Sequence, residues 1–257
     1  MTTTLESVIV STPEAEGEIY LQGAHVARWT PRGERPVLFL SSKSAFEPGK
    51  AIRGGVPVIF PWFGPRSDGQ PGPAHGLART ALWERDGEAF RLKVEQLQLQ
   101  YVVTMGAALE MSLEVTNESP SEARFEEALH TYLAVGDVHQ VSVTGLKNVE
   151  YLDKTDGFKR KTQSADPLRL TKATDSVYLN TTATCDVTDP IWNRRIVVEK
   201  TGSASTVVWN PWSGMADLGP DEWQGMICVE TANVGEDAVR LPAGGTHRMT
   251  ATIHLHR

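Results

Sequence analysis

Glu230 is the residue least expected where it stands. It lies in Gly225-Met226-Ile227-Cys228-Val229-Glu230-Thr231-Ala232-Asn233, an otherwise apolar run of the kind that forms a buried strand. A carboxylate there gives up hydration at considerable cost unless it is paired or hydrogen-bonded. Two chemistries are open to it. It can sit in a structural ion pair, for example with an arginine, or it can carry a raised pKa and work as an acid or base.

A second candidate group lies in 124–135. Read as one strand, this stretch puts Phe125, Leu129, Leu133 and Val135 on one face, with Glu127 and Thr131 between them. Arg124, Glu126, Ala128, His130, Tyr132 and Ala134 fall on the other. A histidine and a tyrosine among small alanines leave room for a ligand such as a sugar to lie on the sheet. The plainer alternative is a solvated face.

Anion chemistry is suggested by Arg53-Gly54-Gly55-Val56-Pro57-Val58-Ile59-Phe60-Pro61-Trp62-Phe63-Gly64-Pro65-Arg66. Its three prolines and three glycines forbid a long regular element. Gly54 and Gly55 are expected to let the backbone approach a ligand, and Arg53 can offer a bidentate fork to phosphate or carboxylate. Pro73-Ala74-His75-Gly76-Leu77-Ala78-Arg79 adds a histidine and an arginine on another turn. Either stretch taken alone could equally be a rigid surface loop. His254 and His256 share a strand face at i, i+2 with His247 nearby, but the other ligands of a metal site are not evident, so no metal is expected. Trp209-Asn210-Pro211-Trp212 could stack on a sugar ring, with core filling the expected role of at least one tryptophan.

The elements that must position these groups are strands. Leu109, Met111, Leu113 and Val115 alternate with polar residues, as do Met249, Ala251, Ile253 and Leu255. Phe90, Leu92 and Val94 alternate until the phase slips and Leu97, Leu99 and Tyr101 continue, which reads as a bulge or turn between two strands. Short strands are also expected at 18–22, 37–41, 141–145, 195–200, 205–209 and 226–231. The best helical signal is Pro220-Asp221-Glu222-Trp223. Phosphate-cradling glycine loops, βα alternation and linker-like composition shifts are all missing. One all-β domain over 1–257 is expected, a large sandwich of antiparallel sheets.

Composition bounds the partners. A chain of 257 residues with 40% hydrophobic and 22% charged side chains can build a core. A net charge of -7 argues against nonspecific binding to nucleic acid or an anionic membrane. A few arginines in one pocket can still hold a small anion. No apolar run approaches the ~20 residues of a spanning helix. The start, MTTTLESVIV, lacks the charged n-region and apolar core of a secretory leader, so a cytoplasmic protein is expected. Cys185 and Cys228 form no CxxC pair and suggest neither a disulfide framework nor zinc.

Five segments in order, RGGVPVIFPWFGPR, HGLAR, ALHTYLAVGD, VVWNPW and ICVETANV, resemble the glucose-6-phosphate 1-epimerases, the hexose-6-phosphate mutarotase branch of the aldose 1-epimerases. The resemblance runs from about residue 50 to the C-terminus. It implies a galactose-mutarotase-like β-supersandwich that works without metal on a small sugar phosphate; no cofactor is expected because anomer exchange is symmetric chemistry, and a monomer is expected. It also implies catalytic roles for His130 and Glu230, and substrate or phosphate binding by Arg53, His75 and Arg79. Asp175, in Ala173-Thr174-Asp175-Ser176, resembles the family aspartate that binds sugar hydroxyls. One departure is Ala74, where the family often has glutamine before HG.

The implied chemistry is anomer exchange. A base takes the C1 hydroxyl proton, an acid protonates the ring oxygen, the ring opens, and rotation with reclosure gives the other anomer. Glu230 is expected to be the base and protonated His130 the acid. A raised Glu230 value and a raised His130 value are expected, the second from the nearby carboxylate and substrate phosphate. On that assignment Glu230 sets the acid limb of activity and His130 the alkaline limb. An unphosphorylated aldose would leave Arg53 and Arg79 without a purpose. A noncatalytic carbohydrate-binding sandwich would leave the buried carboxylate unexplained.

Overall fold

The computed structural model describes residues 5–66 and 69–256. The first four residues of the N-terminal stretch read for a leader lie outside them, as do Ser67, Asp68 and Arg257. Two eight-stranded antiparallel sheets dominate the described residues. One runs in the order Ser142–Thr144, Cys185–Asp189, Arg194–Thr201, Thr246–His256, Ala108–Asn117, Leu97–Met105, Ala89–Val94, Glu84–Asp86. Its strands follow the sequence alternation. Leu109, Met111, Leu113 and Val115 are fully buried together with Met249, Ala251 and Ile253, while their neighbours along each strand reach solvent. The phase slip near 95 is a tight turn joining two paired strands, with Glu95 at φ 54°.

The second sheet runs Lys159–Thr162, Glu150–Asp153, Thr174–Tyr178, Ser205–Asn210, Met226–Asn233, Glu127–Leu129, Val58–Ile59, and Tyr132–Ala134 also pairs with Met226–Asn233. Its central strand, Met226–Asn233, is buried at every position. Ile227 and Val229 face the main core between the sheets, joined there by Val208, Leu129 and Leu133. Cys228, Glu230 and Ala232 face the other way, onto the side that holds the candidate site. This double burial explains why the run reads as almost continuously apolar. A three-stranded sheet, Ser7–Ser11, Ala15–Tyr20 and His25–Pro31, precedes both.

Three expectations need correction. The stretch 124–135 is not one strand. Ala123–Phe125 leaves to pair with Val239–Leu241, and the remainder breaks at His130–Thr131, where the Thr131 N–H turns back to the Leu129 carbonyl at 2.8 Å. Residues 37–41 form only isolated bridges, Leu38 to Leu133 and Leu40 to Gly54. The helical signal at 220–223 yields a single 3-10 turn, Glu222–Gly225. The Glu222 carboxylate accepts from Ser41 Oγ, Ser42 N and Gly219 N at 2.7, 2.9 and 2.8 Å, which ties the loop before Arg53 to this turn.

Candidate active site

Strand register assembles the floor of the site. Asp175 lies opposite Trp209, Trp209 opposite Cys228, and Cys228 opposite Tyr132, so the four side chains share a row and a face. Two residues along, Val177, Val207 and Glu230 form the next row. The register is the same on both sides of the break at His130, so His130 comes to stand opposite Glu230. Apolar clusters flank these rows. Leu218 and Met226 pack with Tyr132 and Cys228 at one end, and Ile59, Ala128, Leu179 and Ala232 with Val177 and Val207 at the other.

His130 Nε2 lies 3.5 Å from Glu230 Oε1, with the glutamate side chain only 1% exposed. Among the described residues, neither Glu230 oxygen has a hydrogen-bond partner, and neither does His130 Nδ1. No arginine pairs with Glu230, so a structural ion pair does not account for it. Burial, then the neighbouring Asp175, pushes the Glu230 carboxyl well above the ordinary carboxylate range, with Lys154 opposing. Burial also holds His130 well below the ordinary histidine value, reinforced by His75, Arg53 and Arg79. Burial therefore opposes the rise expected for His130 and favours the proton of the pair on Glu230.

The His130 ring stacks on Tyr132 at 4.7 Å and 9°, and Trp209 presents an edge to both rings at 5.9 Å. Trp209 thus belongs to the site. Trp212 instead packs with Trp223 and His139. Arg53 donates from Nη1 to Tyr132 Oη at 2.7 Å and from Nη2 to Asp217 Oδ2 at 2.8 Å. Burial disfavours its charge, but Tyr132 and Asp217 more than offset this and hold the guanidinium protonated. Gly54 and Gly55 serve a different purpose from the one expected. They take φ of 110° and 60°, and a Cβ would meet Phe39 O at 2.5 Å and Val26 O at 2.3 Å. The close approach shown is to neighbouring backbone, and it fixes where Arg53 emerges.

His75, at φ 65°, brings its ring within 5.7 Å of the His130 ring. Its Nδ1 accepts from Gly64 N at 3.3 Å, which leaves Nε2 as a donor. Burial, then Arg79, Lys154 and Arg53, lowers it to about 3, so it is neutral at physiological pH. Arg79 donates from Nη2 to the Ala74 carbonyl at 2.7 Å, so the backbone at the departing position orients this arginine. Its Nε is buried without a partner. Asp175 Oδ2 lies 2.9 Å from Lys154 Nζ, which sits 5.0 Å over the Phe63 ring.

All six residues singled out in the sequence thus converge on one side of the second sheet. Lys154, Asp217 and Phe63 join them without having been singled out, since each lies in an irregular segment that no periodicity places. His254 and His256 lie with Nε2 atoms 3.1 Å apart, whereas His247 pairs elsewhere, with Glu127. Among the described residues no group of three His, Cys, Asp or Glu gathers as a metal site would. Cys185 and Cys228 are both free and buried, and among the described residues no helix is long and apolar enough to cross a membrane.

Known proteins match this chain over nearly its whole length. The family pattern described as aldose 1-epimerase matches residues 7–254. A protein of Escherichia coli K12, provisionally named a glucose-6-phosphate 1-epimerase, is 35% identical over 250 residues, covering 90% of this chain and 84% of the relative. A crystal structure of a provisionally described mutarotase from Salmonella typhimurium superposes with a TM-score of 0.89 at 31% identity, covering 99% of this chain and 91% of that one. A galactose mutarotase related enzyme from Lactobacillus acidophilus, 13% identical, shares the fold with a TM-score of 0.79 over 98% of both chains. The architecture is that of the galactose-mutarotase-like all-β proteins.

Proposed function

This chain belongs to the aldose 1-epimerase family and is an isomerase of that class, and we propose that the sugar whose anomers it exchanges is a hexose 6-phosphate, with glucose 6-phosphate first. One observation carries this reading. An arginine stands beside the His130–Glu230 pair: half-buried Arg53 donates to Tyr132 Oη at 2.7 Å, and the Tyr132 ring stacks on His130 at 4.7 Å. In a hexopyranose 6-phosphate the phosphate-bearing carbon is attached beside the ring oxygen, and the C1 hydroxyl lies beyond it. A phosphate at Arg53 and Arg79 therefore turns the ring oxygen toward His130 and the C1 hydroxyl toward Glu230.

Ring opening then needs one proton to move each way. Glu230 takes the proton of the C1 hydroxyl, the C1–O5 bond breaks as C1=O forms, and O5 takes a proton from His130. The product state has Glu230 protonated and His130 neutral, the distribution that burial favours. Opening of the ring form needs a proton on His130, and a phosphate dianion at Arg53 and Arg79 offsets the cationic charge that adds to burial in disfavouring it. The name of the Escherichia coli relative points to the same substrate.

An unphosphorylated aldose is the second reading, favoured by the partial neutralisation of Arg53 by Asp217. NMR exchange spectroscopy on the anomers of glucose 6-phosphate and of glucose, with and without protein, tests both. Acceleration confined to glucose would overturn the phosphate reading.

A further inference from the structure

His254 and His256 stand on the other large sheet, at the end of the strand Thr246–His256. Period two puts them on the face opposite to Ala251 and Ile253, which are fully buried in the core. His254 is half-buried and His256 exposed. Register gives His254 small apolar neighbours, Val197 on one side and Ala108 on the other. Two residues back along the strand, Thr252 lies between Glu199 and Glu110, so carboxylates border the pair on the same face. The cation opposite His256, Arg195, is matched by Asp186 at 3.7 Å.

The two rings meet through nitrogen rather than through their faces. Their Nε2 atoms lie 3.1 Å apart, with the planes inclined at 73°. Between neutral imidazoles, one Nε2 donates there and the other accepts. An ion bonded to both nitrogens at the ~2.0–2.1 Å of a metal–imidazole bond would subtend about 100° across that 3.1 Å. Such an angle falls between the square-planar and tetrahedral values, the geometries that Cu(II), Ni(II) and Zn(II) adopt. We propose that His254 and His256 form a peripheral site for a divalent transition-metal ion, chelated by the two Nε2 atoms with water completing its coordination. Among the described residues no third His, Cys, Asp or Glu joins the pair, so the site is open, unlike the closed set of a structural zinc. Cu(II) binds tightest, Ni(II) and Zn(II) less, and Mg(II) prefers the oxygen ligands that this pair lacks. The site is separate from His130 and Glu230 and takes no part in anomer exchange.

The test is metal binding by the intact protein. Cu(II) titrated into wild type should bind with the electron paramagnetic resonance signature of two imidazole nitrogens. Removing a group that merely orients a metal ligand costs about 10- to 100-fold in affinity. Removing a ligand, in His254→Gln or His256→Gln, should therefore weaken Cu(II) by at least about tenfold. Both variants should exchange anomers at the wild-type rate, which also shows that they are folded. In wild type, diamagnetic Zn(II) should shift the ring NMR signals of His254 and His256 and leave His247, held by Glu127 at 2.8 Å, unmoved. Failure of wild type to bind Cu(II), wild-type affinity in both variants, or Zn(II) shifts absent from these two rings would overturn the proposal.

Discussion

His130 and Glu230 stand opposite one another across a break in strand pairing, 3.5 Å apart, with both carboxylate oxygens of the glutamate unpartnered. An intact ladder would have carried the pairing straight through. Here the Thr131 N–H turns back to the Leu129 carbonyl at 2.8 Å, while on the other edge of the strand the His130 N–H goes to the Pro57 carbonyl at 3.0 Å. Glu230→Gln and His130→Asn should each lower anomer exchange by on the order of 10²–10⁴-fold while leaving the thermal melt close to that of wild type. The double variant should lose little beyond the worse single one, because the two act as a unit. NMR exchange rates decide; either variant running at the wild-type rate sinks the assignment.

The two arginines make a separate prediction. Arg53→Ala and Arg79→Ala should each cost about 10- to 100-fold in affinity for glucose 6-phosphate, the worth of a hydrogen bond to a charged group, and far less for glucose. Equal losses on both sugars would remove the phosphate from these arginines.

Asp217 is the internal anion on Arg53, 40% exposed at the mouth of the site. An incoming phosphate must share or displace it. Asp217→Asn should lower the KM for glucose 6-phosphate by up to about fivefold, since a partly exposed ion pair contributes no more than about 1 kcal/mol. A raised KM in that variant would mean that Asp217 serves to orient Arg53 rather than to compete for it.

Glu230 and His130 were legible because each breaks a pattern, a carboxylate in an apolar run and a histidine on a face of small residues. Arg53, His75 and Arg79 needed the resemblance as well, since a glycine- and proline-rich loop gives no period from which to infer a direction. Asp175 rested on the resemblance alone. Lys154 and Asp217 carried no signal, because Lys154 lies in the 3-10 turn that follows Glu150–Asp153 and Asp217 in the loop after Ser205–Asn210, where no alternation fixes a direction. The alternating strands were legible because one face of each is buried. The break at 130–131 was not, because the register against Met226–Asn233 is the same on both sides of it and both faces are buried there.

Away from the site, His247 Nε2 lies 2.8 Å from Oε1 of the wholly buried Glu127, which also accepts from Asn233 Nδ2 at 2.8 Å. The hydrogen bond to Glu127 raises the His247 value, against burial. A raised folded-state value stabilises the protein fully below the unfolded value of about 6.5 and loses that contribution as pH rises through the folded one. His25, His75 and His130, lowered by burial, act with the opposite sign, so the quantity to read is the difference between wild type and His247→Gln. In urea unfolding that difference should be about 1 kcal/mol at pH 6 and shrink toward pH 9. A difference independent of pH would show that the bond matters without its charge.

The pH dependence of catalysis should reverse the limb assignment that the residue types alone suggest. With Glu230 pushed up and His130 pushed down, the proton of the pair shifts toward Glu230 over the range in which one is held, and the two titrations belong to the pair rather than to either residue. Below that range His130 takes a second proton and no base remains. Above it the proton on Glu230 is lost and no acid remains. In kcat/KM, which reports the free enzyme, the acid limb should lie below the ordinary histidine value of about 6.5 and the alkaline limb well above the ordinary glutamate value of about 4.3. Phosphate at Arg53 and Arg79 offsets the cations that depress His130, so in kcat the acid limb should move to higher pH. Because the substrate phosphate itself titrates near ~6, the acid limb must also be measured with glucose. In the residual activity of His130→Asn the acid limb should vanish, and in that of Glu230→Gln the alkaline one. If the histidine variant loses its alkaline limb instead, the shared proton rests on His130, and burial does not govern the pair.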